Sequence, residues 1–129
     1  MRWSPEQYTA HLAKQPKQAK YRNKKVFVDN LKFDSKKEYK RWLELKTLER
    51  AGHIDGLQHQ VSFILAPSVK FVESKRAKPA LRIIVDFMYQ QNNAVVVEDV
   101  KSVATMTTAF IIKRHLLLAQ TGIQIRIVQ

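Results

Sequence analysis

Leu81-Arg-Ile-Ile-Val-Asp86-Phe-Met-Tyr89, Gln90-Gln-Asn-Asn93 and Ala94-Val-Val-Val-Glu98-Asp99-Val-Lys101 form the stretch from which the fold is read. Two apolar runs around a short polar turn predict a β-hairpin, with strands over residues 81–89 and 94–100. Side chains alternate faces along a strand, so Asp99 and Lys101 share one side while Glu98 and Val100 take the other. Asp86, in the middle of the first run, is expected opposite them. A carboxylate in that apolar setting is costly unless it is paired or binds a cation. Two carboxylates and an ammonium at one sheet end suit a divalent cation beside a lysine, a combination fit for hydrolysing a phosphodiester.

Working outward, residues 58–65 predict a preceding strand that Pro67 ends, and residues 66–80 form a basic connection with Lys70, Lys75, Arg76 and Lys78. Residues 35–51 predict a helix capped by Ser35 and stopped by Gly52. Tyr39, Trp42, Leu43 and Leu45 fall in one sector of it, and Glu38 and Lys46 fall there too. A second helix is expected over 105–121, with Gly122 as its stop. Its apolar face, Met106, Ala109, Phe110, Leu116 and Leu117, has Lys113 in the middle. Ile123, Ile125 and Ile127 alternate with polar residues and predict a last strand over 123–128. Val26–Val28 and Leu31–Phe33, around Asp29-Asn30, read as a small hairpin.

The order helix, three strands, helix, strand predicts an α/β fold. Its mixed β-sheet has a three-stranded antiparallel meander plus a strand after a crossover helix, and helices flank it. One domain is expected over residues 26–129. Residues 1–25 precede it, with a short helix over 4–13 and a basic arm carrying Lys14, Lys17, Lys20, Arg22, Lys24 and Lys25.

The chain has 129 residues, 45% of them hydrophobic, enough for one core. It has no cysteine, so disulfides and thiolate metal sites are excluded, in keeping with a reducing cytoplasm. No apolar run approaches the roughly 20 residues of a membrane span, and the N-terminus lacks a signal-peptide core. Twenty-three Lys and Arg against 11 Asp and Glu give a formal charge of +12. A polyanion is the natural partner. Nucleic acid is favoured over a membrane, since no segment joins a basic face to a large free apolar one. With three glycines in the chain, no glycine-rich phosphate loop exists.

The candidate cation ligands are Asp86, Asp99, the backbone carbonyl of Val100, and Glu38 from the first helix. Lys101 is the candidate for stabilising developing charge. Mg²⁺ is the expected ion, with Mn²⁺ as an alternative. Gln60, Glu98 and Lys113 are candidate site-lining residues. Other roles stand beside these. Ser35-Lys-Lys-Glu38 is a capping-box pattern in which Glu38 bonds the Ser35 amide. Asp86 pairs with Lys101 or Lys113 in the purely structural alternative, and Glu98-Asp99 is then a solvated strand end. Lys113 either snorkels off its face or contacts phosphate. The histidines, at 11, 53, 59 and 115, show no zinc-ligand spacing, and surface or capping roles are expected of them. Lys36, Lys37, Lys75, Arg76 and Lys78 join the arm as candidate phosphate contacts.

Asp86, Asp99-Val-Lys101 and Glu38 on the first helix together resemble the PD-(D/E)XK nuclease superfamily. Phe33-Asp-Ser-Lys-Lys-Glu38, the stretch from Gly52 to Gln60 and Val97-Glu-Asp-Val-Lys101 are similar to a group of small phage and prophage proteins of that superfamily. Val85 stands where the motif's name has proline. Asp99 has the spacing and face of the second acidic residue, whereas Glu98 fits only with a local bulge. The resemblance implies a restriction-endonuclease-like core and metal-dependent endonucleolytic cleavage of DNA, directed at structures such as Holliday junctions in phage recombination or processing. It also implies a homodimer in the cytoplasm of a bacterial host. The rival expectation is a non-catalytic nucleic-acid-binding module on a degenerate nuclease core.

Overall fold

The computed structural model describes residues 25–28 and 30–129; the helix expected over 4–13 and Lys14, Lys17, Lys20, Arg22 and Lys24 lie outside the described residues. Strands β1 (Val26–Val28) and β2 (Leu31–Phe33) pair antiparallel as a two-stranded ribbon, with Asn30 in the left-handed conformation at its turn. Ser35 then caps helix α1 (Lys36–Arg50), its Oγ accepting the Glu38 amide at 3.1 Å. Gly52, at φ 80°, turns the chain away after the helix.

The main sheet has the order β3-β4-β5-β6, from β3 (Asp55–Ala66), β4 (Leu81–Gln91), β5 (Ala94–Val100) and β6 (Ile125–Val128). β3, β4 and β5 are antiparallel neighbours, and β6 returns parallel to β5 through helix α2 (Thr108–Thr121). Asn92 and Asn93, at φ 53° and 63°, make the two-residue turn between β4 and β5. This is the α/β fold with a mixed sheet expected from the element order.

Three elements start later or earlier than the sequence reading by two residues or more, and β4 runs on to Gln91 rather than 89. β3 begins at Asp55 rather than 58. α2 begins at Thr108 rather than 105, because Ser102 and Thr105 first close a turn through hydrogen bonds between their side chains and backbones. Thr107 then caps the helix by accepting the Phe110 amide at 3.2 Å. β6 begins at Ile125 rather than 123, since Gly122 ends α2 at φ 76° and the Ile123 amide bonds back to Thr121.

Two apolar layers flank the sheet. Leu65, Ile83, Val85, Val97 and Ile125 pack with Phe110 and Leu117 of α2. Phe87, Tyr89 and Ile54 pack with Leu45 of α1, and Val96 and Val100 join that side. Neighbouring β5 residues thus belong to opposite layers, which puts the helices on opposite faces.

The alternation breaks once in each of β3 and β4. Val61, Phe63 and Leu65 lie on the α2 side, yet Leu57 lies on the α1 side, as does His59, which packs on Trp42. Likewise Ile83 and Val85 face α2, whereas Phe87 and Tyr89 face α1. The register runs unbroken from His59↔Phe87 to Val61↔Val85, so the break falls on Gln60 and Asp86, which stand opposite each other. Gln60 shows its cause, a left-handed φ of 59°. For a residue with a long side chain this costs about 1–2 kcal/mol.

The α1 layer is tied to the sheet by a buried charge pair. Glu98 is 0% exposed; Arg41 Nε donates to its Oε1 at 2.8 Å and Nη2 to its Oε2 at 2.7 Å. The Tyr89 hydroxyl also donates to Glu98, and Arg126 lies 3.6 Å away. Burial alone would raise the Glu98 carboxyl, but the bonds from Arg41 and Tyr89 outweigh it and hold the group below the usual carboxylate range. Its stabilising contribution is therefore present above that range and lost as pH falls through the lowered value. Arg41→Ala strands the charge and is expected to cost about 3–5 kcal/mol in urea denaturation at pH 7. The joint replacement Arg41→Met, Glu98→Leu is expected to cost clearly less.

Candidate functional site

β4 and β5 stop pairing at Phe87↔Glu98, and beyond that pair the site is built from backbone groups that have lost their ladder partners. The Asp86 amide donates to Asp99 Oδ1 at 3.0 Å, and the Val100 amide donates to Asp86 Oδ2 at 2.7 Å. Each carboxylate thus holds the other's strand. Asp86 Oδ1 accepts from Gln60 Nε2 at 3.2 Å. Asp99 Oδ2 has no directed donor although it is buried; the Lys101 ammonium lies 3.0 Å from it but off the hydrogen-bonding direction. That ammonium also sits 4.2 Å from the Phe110 ring centroid, so Lys101 is held between a carboxylate and an aromatic face.

Glu38 approaches from the first turn of α1 and is 2% exposed. It does not close the expected capping box, because its Oε2 accepts the amide of Asp34, not of Ser35, at 2.7 Å. Its Oε1 takes Gln60 Nε2 at 2.8 Å and His59 Nε2 at 2.9 Å. A carboxylate oxygen accepts, so in this bond His59 donates through Nε2. The His59 ring is walled by Phe33, Trp42 and Phe87, which corrects the expectation of a surface or capping role. The kink at Gln60 aims one side-chain amide at both Glu38 and Asp86.

Of these groups Glu38, Asp86 and Lys101 reach a pocket of about 410 Å³, lined by Asp34, Ser35, Lys36, Lys37 and Glu38 and by Asp86, Val100, Lys101, Ser102 and Thr105, while Asp99, Gln60 and His59 lie behind it. The first amides of α1, with no intrahelical acceptor, and two lysines sit at one wall. Glu98 is on the opposite face with Arg41, so parity selects Asp99 and the expected alternative at Glu98 is removed. Lys113 is half-buried and forms no ion pair with Asp86 or Asp99, and Lys101 pairs with Asp99, so among the described residues neither lysine is the salt-bridge partner expected of Asp86. Lys75 and Arg76 are exposed and Lys78 half-buried in the connection between β3 and β4, and Lys25 is exposed before β1. The sequence reading missed His59, Arg41, Tyr89, Asp34, Ser102 and Thr105. Arg41, one helical turn after Glu38, offered the only spacing signal.

Crowded charge gives the site its electrostatics. Burial first, then the neighbouring charges of Asp99 and Glu38, push the Asp86 carboxyl up to about 9. Asp99 is raised as well, by burial, against the pull of Lys101. Among the described residues no three His, Asp or Glu side chains are gathered closely enough to enclose a metal. Asp86 and Asp99 are the carboxylates here that could share a hydrated divalent cation, which needs only one or two of them. The unsatisfied Asp99 Oδ2 and the raised Asp86 are what a cation would relieve.

A raised folded-state value gives the opposite pH slope from Glu98. The Asp86 contribution to stability is full below about 4, the ordinary Asp value, and declines as pH rises towards about 9. Asp86→Asn is accordingly expected to raise the melting temperature of chelator-treated protein at pH 7 and to flatten its fall between those limits. Scanning calorimetry across that range checks both the sign and the window.

Among the described residues no helix is long and apolar enough to cross a membrane. No curated protein and no solved structure matches the chain. A family model does, over residues 18–126, which takes in the strands and helices from β1 to the middle of β6, together with Glu38, Asp86, Asp99 and Lys101. The chain therefore belongs to the family described as protein of unknown function, DUF1064.

Proposed function

We propose that this chain is a divalent-cation-dependent endonuclease that hydrolyses phosphodiester bonds of DNA on a restriction-endonuclease-like core of the PD-(D/E)XK type. The observation that carries the reading is the grouping of two carboxylates and an ammonium: Asp86 and Lys101 line one pocket, and buried Asp99 lies behind them, accepting the Asp86 amide and 3.0 Å from the Lys101 ammonium. The formal charge of +12 supports a polyanionic substrate.

Asp86 and Asp99, with the backbone of Val100, would hold Mg²⁺ or Mn²⁺. When bound, the cation supplies neutralisation of phosphate charge and eases ionisation of the attacking water. Lys101 donates to the water or to a non-bridging phosphate oxygen, and its seat between Asp99 and Phe110 fixes where that donation is made. Lys36 and Lys37, with the first amides of α1, bind the neighbouring phosphate at the pocket wall. Gln60 keeps the Asp86 carboxylate turned towards the pocket, and Glu38 with His59 keeps Gln60 in place. One site cuts one strand, so a homodimer acting on branched DNA, as in phage-type recombination or processing within the bacterial cytoplasm, is the assembly that the proposal carries.

A second reading has its own support. Three of the four oxygens of Asp86 and Asp99 already accept hydrogen bonds from the protein, as they would in a nucleic-acid-binding module that retains only the frame of a site. Two measurements separate the readings. Cleavage of supercoiled plasmid and of a four-way junction is expected with Mg²⁺ or Mn²⁺ and not with chelator; Asp99→Asn and Lys101→Ala are expected to lower the rate by about a hundredfold or more while DNA binding persists. Mg²⁺ is also expected to raise the melting temperature of the wild type and not of Asp99→Asn. No cleavage and no thermal shift, with binding intact, would establish the binding module instead.

A further inference from the structure

β5 ends at Val100, but β3 and β4 run on past it as a two-stranded projection, residues 61–66 paired with 81–85. One face of this projection is covered, since Leu65, Ile83 and Val85 pack against α2. The other is not. On β3 and β4 the apolar layer under helix α1 is made by Leu57, Phe87 and Tyr89, which lie on the near side of the Gln60 and Asp86 break. On the uncovered face Ser62 stands across from Ile84 and Ile64 across from Arg82. Ile64 is 62% exposed and Ile84 58%.

This face lies along β4 from the pocket: Ile84 and Arg82 precede Asp86, a pocket residue, by two and four positions, roughly 7 and 13 Å along the strand. Charge identifies the occupant. Residues 67–82, the connection and the start of β4, hold Lys70, Lys75, Arg76, Lys78 and Arg82 against Glu73 alone. The connection is closed on itself by the Val69↔Lys78 bridge and leaves Phe71 half exposed. A second copy of so basic a face would be repelled, whereas a nucleic acid strand is attracted. Isoleucines have no use for an intact phosphate backbone. They suit the faces of bases and sugars that an unpaired or splayed strand presents.

Resting on the nuclease reading for the register of the scissile phosphate, we propose that the projecting β3–β4 face is the seat of an unpaired DNA strand, with Ile64 and Ile84 against its bases and Arg82 and the 67–80 connection on its phosphates. The substrate of the adjoining pocket is then DNA that is single-stranded or forked at the cleavage point, and intact duplex is a poor fit.

Binding measured in chelator tests this without requiring cleavage. Fluorescence anisotropy with the full chain would use a labelled single strand, a forked duplex and a blunt duplex of one sequence. The wild type is expected to bind the first two about tenfold more tightly than the blunt duplex. The double variant Ile64→Ser, Ile84→Ser, at exposed positions, is expected to lose that preference while blunt-duplex affinity stays within about twofold. Arg82→Ala is expected to weaken all three alike and to lower the salt slope by about one. Equal wild-type affinity for all three DNAs, or an undiminished preference in the double variant, overturns the proposal. So does binding of both isoleucine and serine forms to anionic lipid vesicles in place of DNA. Loss of the preference in a protein that never cleaves overturns the nuclease reading alone and leaves the strand seat standing.

Discussion

Where β4 and β5 part, the amides of Asp86 and Val100 face no carbonyl, and carboxylates take the carbonyls' place. A buried amide without an acceptor costs about 1–3 kcal/mol, so these bonds are obligatory parts of the fold. The same substitution imports two negative charges into a partly buried sheet end. Two neighbours answer that import: Lys101 beside Asp99 and Gln60 on Asp86. Structure and candidate chemistry are therefore one arrangement. The carboxylates that let the strands separate are those a cation would use.

A second charge group, Arg41 with Glu98, works from the opposite face of β5. Glu98 and Asp99 are adjacent, so the residue that anchors α1 and the residue that backs Asp86 and Lys101 are fixed by one stretch of strand. Arg41 lies one turn from Glu38, whose carboxylate holds His59 and Gln60. The helix, the kinked strand and the strand end are thus linked through short polar contacts. Replacing the buried pair by apolar groups would keep the packing and lose the fixed register between α1 and β5.

The strand order and most of the element boundaries were legible from local pattern: the Asn92-Asn93 turn, the Ser35 cap and the Gly122 stop each carry a mechanism within a few residues. Parity along β5 was enough to separate Asp99 from Glu98. Strict alternation failed at Gln60 and Asp86, because a left-handed Gln has no signature in sequence and is paid for by tertiary bonds to Glu38 and Asp86. His59 was misjudged for the same reason. Its aromatic walls come from β2, α1 and β4, three elements that meet only after folding. The 105–107 segment read as helix on apolar spacing, but two hydroxyls competed for its backbone.

The kink at Gln60 has an effect outside the pocket. β3 is twelve residues long and lies at the sheet's edge, where unpaired backbone groups invite a strand from another molecule. A left-handed residue at its centre, with register irregularities towards both ends, leaves no long flat run on which such a strand could zip. The feature that turns an amide towards two carboxylates thereby also blunts the β3 edge against pairing with another chain, and a smoother β3 would give up that protection along with the geometry.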